Sequence, residues 1–450
     1  MIQNANDLAR SPRHELVLDA LERGIDAVHP WTVIPDTVSV EGDTLHICGT
    51  SYDLRTIDNV YVLGGGKPAG DAAKAIEDIL GERITAGAVV TDRSDDDGRI
   101  VLYEATHPLP SSANREATNS ILELADKLTD RDLAIVLLGG GGSAMLFAPV
   151  EQITVDHYRD VVDRLLEAGA PIDDLNTVRK HLSRVKGGLL ARRLAPATTV
   201  GIVFSDVVGD RLDVIASGPT APDPTMYAEA MAVLERYEIE VAPPIVDHLR
   251  SGIDGAIPET PSSGDPCFES VVNHIVANNR LALEAMAAAF DPSEYEPVIL
   301  AMDIEGEAQE VGDALATMAG ECRVRGEPSE PPVAVLSGGE LTVTVSGNGT
   351  GGPNQEFVLS AVLGLDGSED LVASMDTDGI DGTSDLAGAI MTASDVPDRA
   401  AVEDALSRND AHSFCLEHGF GIETGATGTN VNDVRILLVE PEGEPAVTDT

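Results

Sequence analysis

A chain of 450 residues, 43% of them apolar, is long enough for two or three domains and a sizeable core, which excludes a disordered tail. Its 77 acidic residues outweigh 29 basic ones, and a formal charge of −48 excludes nucleic acid, whose phosphates such a surface repels. No apolar run approaches the roughly 18 residues of a membrane span, and no basic stretch leads into an apolar core at the N-terminus, so a cytoplasmic protein without a membrane partner is expected.

Only five of the cations are lysines: Lys67, Lys74, Lys127, Lys180 and Lys186. In so acidic a chain each retained lysine is a candidate for a specific task. Abundant Asp and Glu with almost no Lys fit a halophilic protein, whose self-repulsion is screened in molar salt, where the Debye length is about 3 Å. Cys48, Cys267, Cys322 and Cys415 are scattered, with neither C-x-x-C nor a His at zinc spacing. They read as small core residues in a reducing compartment.

In chain order, residues 1–48 predict a helix over His14–Val28, with Val17, Leu21, Ile25 and Val28 on one face, then short strands at Thr37–Val40 and Thr44–Cys48. A first domain is expected over residues 49–245. Val60–Leu63 reads as a strand that breaks into Gly64-Gly65-Gly66-Lys67-Pro68-Ala69-Gly70 and a helix to Leu80. Strands follow at Ala88–Val90 and Ile100–Leu102, and Ser111-Ser112 caps a helix reaching about Leu128. Ala134–Leu138 is a buried strand ending in Gly139-Gly140-Gly141-Gly142-Ser143, a long basic helix covers Asn176–Leu194, and Thr199–Ser205 is a strand ending at Asp206. This alternation predicts an α/β fold with a mostly parallel sheet and helices on both faces.

The Pro-, Gly- and Ser-rich stretch Val241–Pro266 marks a boundary, and a second α/β domain is expected over residues 265–450. Its strands are read at Val271–Ala277, Val298–Met302, Val333–Leu336, Leu341–Val345, Leu371–Ser374 and Val434–Val439. Its helices are read at Arg280–Ala289, at Glu307–Met318 and from Pro353 onward.

Ligands of open α/β sheets bind beyond the carboxyl ends of the strands. Gly64–Ala69 forms a loose G-x-G-x-x-A dinucleotide pattern, and Lys67 within it opposes the dipole of the following helix unless an anion sits between them. Four glycines before Ser143 expose several backbone N–H groups, which makes an anion nest without the G-K-[ST] of a Walker loop. Asp206, at the end of a strand, suits a general base or a metal ligand. In Asp376-Thr377-Asp378-Gly379-Ile380-Asp381-Gly382 the spacing resembles a calcium loop, but residue 387, the twelfth position, is Ala rather than Glu. The polar loop Thr424–Asp433 lies ahead of the last strand and carries Asn430 and Asn432.

Ten blocks, GGGKPAG, HPLPSSAN, LGGGGSAML, NTVRKHLSRVKGG, SDVVGD, IASGPTAPDPT, SGGE, GGPNQEF, TDGIDGTSDLAGA and TGTNVNDVRILLV, together resemble the glycerate 2-kinases of the MOFRL type, here with a haloarchaeal-like composition. The family has also been labelled hydroxypyruvate reductase. The resemblance implies two α/β domains, the first Rossmann-like, with the active site in the cleft between them. It implies ATP- and Mg²⁺-dependent phosphorylation of the 2-hydroxyl of D-glycerate. A nicotinamide-dependent hydroxypyruvate reductase and a non-catalytic small-anion binder are the alternatives, and both a monomer and a homodimer stay open.

Family functional positions fall on Lys67, Asp206, Asp378 and Asn432. Lys67, Asp206 and Asp378 are the expected catalytic residues. Gly64, Gly65, Gly66, Gly139, Gly140, Gly141, Gly142, Ser143 and Asn432 are expected to hold the nucleotide, and Asp378 and Asp381 the metal. In one departure, Pro353 stands where the family has an arginine. Arg179, Arg184 or Lys186 is expected to supply the missing cation at the inter-domain cleft.

Overall fold

A strand covered on both faces reads as an unbroken apolar run, and Asp132–Leu138 is buried at all seven positions. The computed structural model describes residues 1–441 apart from 292, 366–368 and 397. The chain divides into two units, residues 30–276 and residues 1–29 with 277–450.

In the first of these, β1 (Val38–Glu41), β2 (Thr44–Ile47) and β3 (Thr50–Asp53) form a small antiparallel sheet. The main sheet contains β4 (Asn59–Gly65), β5 (Ala86–Thr91), β6 (Ile100–Glu104), β7 (Asp132–Leu138), β8 (Thr198–Phe204) and β9 (Val271–Ala277). Their order is β6-β5-β4-β7-β8-β9, and the pairs β4–β5, β4–β7, β5–β6 and β7–β8 are parallel. Counted from β4 this is the doubly wound order 3-2-1-4-5-6, in which the chain reverses direction across the sheet between β4 and β7. The crevice outside the carboxyl ends of those two strands is the binding position that such topology provides. The Gly64 and Gly139 loops flank it.

The other unit carries β10 (Glu296–Glu307), β11 (Val333–Thr342), β12 (Leu371–Asp376), β13 (Gly388–Thr392), β14 (Gly421–Ile422) and β15 (Asp433–Val439). Their order is β10-β11-β15-β12-β13-β14. Only β10–β11 is parallel among the five pairs. The helices Ala308–Arg325 and Pro353–Gly364 contribute Leu315, Ala319, Phe357 and Val358 to a core with Val335, Val372 and Leu437. The N-terminal helix Pro12–Val28 lies against Asn279–Ala288, so close that a Cβ on Gly24 would fall 2.6 Å from Met286 Cγ.

Three expectations are corrected. The N-terminal 29 residues belong with the C-terminal unit, and the division falls at 276/277 rather than within 241–266. That stretch holds the helix Pro243–Ile253, whose Ile245 and Leu249 join a core with Val161, Leu165 and Val233. The basic helix of residues 176–194 is two helices, Ile172–His181 and Leu189–Leu194. Gly187 and Gly188 break it at φ +54° and +76°, and a Cβ on Gly187 would strike the Asp223 carboxylate at 2.8 Å. Arg179 and Lys186 therefore do not share a helix face. Finally, Val333–Leu336 and Leu341 belong to one strand, β11, which runs through Gly338-Gly339. A Cβ at Gly339 would meet the Ile304 carbonyl oxygen of the neighbouring strand at 2.2 Å. Among the described residues no helix is long and apolar enough to cross a membrane.

Candidate active site

The carboxyl ends of β4, β7 and β8 bring the expected groups of residues 30–276 together. Gly64 and Gly65 pair with Leu137 and Leu138, and Leu138 pairs with Val203. A Cβ at Gly66, where φ is +136°, would lie 2.7 Å from the Gly139 carbonyl oxygen, so the two glycine loops touch through their backbones. The Lys67 amide donates to the Gly140 carbonyl at 2.8 Å. The space in front of Gly141 is bordered by the His107 ring at 3.2 Å and by Lys67 Cγ at 3.5 Å. Lys67, the four glycines and His107 thus form one cluster. Asp206 lies two residues beyond the end of β8 and is half-buried.

Ser143, on the single turn Gly142–Met145, is held from behind. Its Oγ lies 2.8 Å from Ser217 Oγ, which donates to Asn176 Oδ1 at 3.0 Å. Ser217 and the preceding Ala216 have φ of +62° and +50°, a left-handed conformation that side chains rarely adopt and that costs on the order of 1–3 kcal/mol each. Amides of Gly187 and Gly188 bond the Ser217 and Gly218 carbonyls at 2.9 and 2.7 Å, which holds this turn in place. The block IASGPT marks this segment in the sequence, but its backbone conformation is not legible there.

Lys186 is fully buried, and its Nζ donates to the carbonyls of Ser143 at 2.6 Å and Leu146 at 3.0 Å. It ties down the turn that bears Ser143 and is not available to a ligand as the cation that replaces an arginine. Arg184 donates to Asn119 Oδ1 at 3.2 Å, and Arg179 is half-buried. Burial, helped by the Arg179 charge, lowers the Lys186 ammonium to about 7. Unfolded, this lysine titrates near 10.5, so between about pH 7 and 10.5 the unfolded chain binds more protons and stability rises with pH. Lys186→Met is expected to remove a slope of about 1.4 kcal/mol per pH unit across that window. Chemical denaturation at a series of pH values measures it, and an unchanged slope refutes a neutralised lysine.

The second cluster lies within residues 277–441. Asp376 ends β12, and its carboxylate accepts from the Asp378 amide at 2.9 Å. Asp378 Oδ1 accepts from the Ile380 amide at 2.9 Å, and its carbonyl accepts from the Thr427 amide at 3.1 Å. Thr377 Oγ1 donates to the Asn432 carbonyl at 2.8 Å, and Asn432 sits at φ +68°. The Asp376–Asp381 loop and the Thr424–Asp433 loop are therefore laced together. Burial and the nearby Asp378 and Asp433 charges hold Asp376 well above the usual carboxylate range.

Asp381 is put to a different use from the metal binding expected of it. Oδ1 accepts from the Asn354 amide at 3.0 Å and Asn354 Nδ2 at 3.1 Å, and Oδ2 from the Gln355 amide at 2.9 Å and Gln355 Nε2 at 2.8 Å. It anchors the N-terminus of the helix Pro353–Gly364, where a negative charge suits both the unpaired amides and the dipole. Burial nonetheless raises it to about 7. Pro353 opens this helix, where its missing N–H costs nothing. A guanidinium does lie beside the first turns of that helix. Arg435, buried on β15, holds Asp433 at 2.6 Å and lies 5.5 Å from the Phe357 ring centre. Nothing in the alternation of β15 singles it out, because an apolar strand was the stronger signal.

Among the described residues no group of three or more His, Cys, Asp or Glu side chains is placed to hold a metal ion. Mg²⁺ does not require one: it keeps several waters and is bound through one or two carboxylates together with substrate phosphates. Asp378, buried at the tip of its loop, fits such a role, and Asp381 does not.

A doubly wound sheet with a glycine nest and a lysine at its switch point, joined to a second unit with an Asp-rich loop, defines an α/β protein built to handle a small anionic ligand. Residues 16–250 match a family described as a domain of unknown function, DUF4147, and residues 333–433 match the MOFRL family. The glycerate 2-kinase of Pyrococcus horikoshii is 36% identical over 434 residues, covering 94% of this chain and 97% of its own. The D-glycerate 2-kinase of Thermotoga maritima is 36% identical over 433 residues, covering 94% and 98%. A protein of Agrobacterium vitis provisionally called hydroxypyruvate reductase is 39% identical over 391 residues, covering 84% and 86%. The crystal structure of a Thermotoga maritima glycerate kinase superposes with a TM-score of 0.82 at 35% identity, covering 94% of this chain and 99% of that one. The chain belongs to the MOFRL-type glycerate 2-kinase family.

Proposed function

We propose that this protein transfers the γ-phosphoryl group of ATP to the 2-hydroxyl of D-glycerate. The observation that carries this reading is the 36% identity to two glycerate 2-kinases along 94% of the chain. The geometry supports it, because phosphoryl transfer asks for positioning and charge neutralisation rather than covalent chemistry. Amides of the Gly139–Ser143 loop other than that of Gly142, which bonds the Gly139 carbonyl at 3.0 Å, would hold phosphate oxygens, and the Lys67 ammonium would neutralise charge on the group in flight. Asp206 would accept the proton of the glycerate hydroxyl. Bound Mg²⁺ would neutralise the β- and γ-phosphates, with Asp378 as its protein ligand. Asn432 shapes the loop beside Asp378.

The acidic surface supports a cytoplasmic enzyme working in molar salt. Incubation with ATP, Mg²⁺ and D-glycerate in molar KCl is expected to yield ADP and 2-phosphoglycerate. Oxidation of NADH by hydroxypyruvate without ADP formation would replace this reading with the reductase one. Binding of glycerate with neither reaction would leave a small-anion binder.

A further inference from the structure

Residues 210–213, 221–226, 259, 260, 262 and 263, with Asn273, line an open cavity of about 850 Å³, within the range of small-molecule sites. None of the residues given a catalytic or nucleotide-holding role above lines it. Its character is unusual for a protein that handles phosphates. Leu212, Pro222, Pro224 and Met226 give it apolar walls, and Met226 is 53% exposed, an apolar side chain left uncovered. Its ionisable lining is Asp210, Asp213, Asp223 and Glu259 against the single cation Arg211.

The carboxylates differ in their commitments. Asp223 is fully engaged, accepting from buried Lys180 at 3.3 Å, the Thr225 amide at 3.0 Å, Thr225 Oγ1 at 2.7 Å and Thr260 Oγ1 at 2.9 Å. It builds the wall. Asp213 pairs with Arg211 at 3.1 Å and Lys180 at 3.6 Å yet keeps 22% of its side chain exposed, and Glu259, which accepts from the Tyr227 amide at 3.1 Å and lies 3.6 Å from His181 Nε2, keeps 36%. A phosphate or a glycerate carboxylate would be repelled here, whereas an uncharged flat ring with hydroxyl donors would be accepted.

The cavity also adjoins the glycine nest. A Cβ at Gly218 would lie 2.9 Å from the Asp213 carbonyl oxygen, and the adjacent Ser217 reaches Ser143 at 2.8 Å. We propose that this cavity takes the nucleoside end of the nucleotide. The base lies against Leu212, Pro222, Pro224 and Met226, the ribose hydroxyls donate to Asp213 and Glu259, and the phosphates leave past Ser217 toward the nest. This rests on the ATP-dependent kinase reading.

The test uses two rim variants of the full chain. Ser263→Trp fills the mouth from an exposed position. Met226→Ser removes an apolar wall at the N-cap of the helix Tyr227–Arg236, where serine favours the helix, so a loss of binding does not come from unfolding. The measurements are KM for ATP and glycerate, inhibition by adenosine and by tripolyphosphate, and equilibrium binding of adenosine. Ser263→Trp is expected to raise the ATP KM and weaken adenosine about tenfold or more, and Met226→Ser to do so about threefold or more. Glycerate KM and tripolyphosphate inhibition are expected to stay within twofold. Unchanged ATP and adenosine values, a rise in glycerate KM alone, or no adenosine binding by the wild type would each overturn the proposal. If the wild type turns over no ATP, the kinase reading fails, and adenosine binding to wild type and variants still decides the cavity.

Discussion

Lys67→Ala is expected to lower kcat/KM by about 10²–10³, the usual effect of losing one preorganised contact to charge that develops in the transition state. The backbone of Lys67 is fixed by its amide bond to the Gly140 carbonyl, and its Cγ borders the space in front of Gly141. The side chain therefore starts from the mouth of the nest. Removing it leaves that backbone bond in place, so the fold is expected to persist with a thermal midpoint within a few degrees of wild type. Steady-state kinetics with ATP and glycerate varied separately gives the diagnosis. A fall confined to kcat marks a contact made only in the transition state, and a rise confined to KM marks uniform binding of the phosphates. A variant within threefold of wild type in kcat/KM would make Lys67 structural.

The largest effect on stability is expected from Asp381→Ala. Four N–H donors converge on that carboxylate, two of them the first amides of the helix Pro353–Gly364. A typical hydrogen bond contributes about 0.5–1.5 kcal/mol net, and a lost helix cap typically costs about 1 kcal/mol. Burying the carboxylate offsets part of this, as its elevation to about 7 records. A net loss of about 3–5 kcal/mol is expected at pH 7. The folded-state pKa lies above the unfolded one, so the group binds more protons when folded, and its contribution to stability falls as pH rises from about 4 to 7. The deficit of the alanine variant is accordingly greatest near pH 4 and smaller at neutrality. Urea unfolding at both values measures this, and a loss below about 1 kcal/mol at either pH would show that the four donors find other partners.

The sequence exposes the parallel sheet well, because β4, β7 and β8 are unbroken apolar runs that end in glycine or a polar turn. The second unit is less legible. Four of its five strand pairs are antiparallel, in an order that sequence spacing does not reveal, and β14 is two residues long. Lys67 and the glycine loops announce themselves by residue type. Ser217 and Arg435 do not: one depends on a left-handed turn, the other on a charge hidden in an apolar strand. At Asp381 a motif rich in aspartate resembles metal ligation, while the carboxylate holds the start of a helix, a use that residue type does not announce. Lys186 illustrates the same ambiguity, since scarcity of lysine says that it matters without saying that it faces inward.

The pairing of the first 29 residues with the segment after residue 277 has a consequence for biosynthesis. The helix Pro12–Val28 leaves the ribosome before residues 30–276, yet its partners, Met286 beside Gly24 and Thr429, whose Oγ1 bonds the Val28 carbonyl at 3.0 Å, are made after them. Residues 30–276 close their sheet without it. The leading helix must therefore wait, its apolar face of Val17, Leu21 and Ile25 uncovered, while the intervening unit is translated and folded. A released chain ending at Ala277 should remain open to proteolysis around residues 12–28 while its β4–β9 sheet resists. For a polypeptide crowded with carboxylates, that interval is also when like charges on a tethered, undocked segment help keep it from self-association.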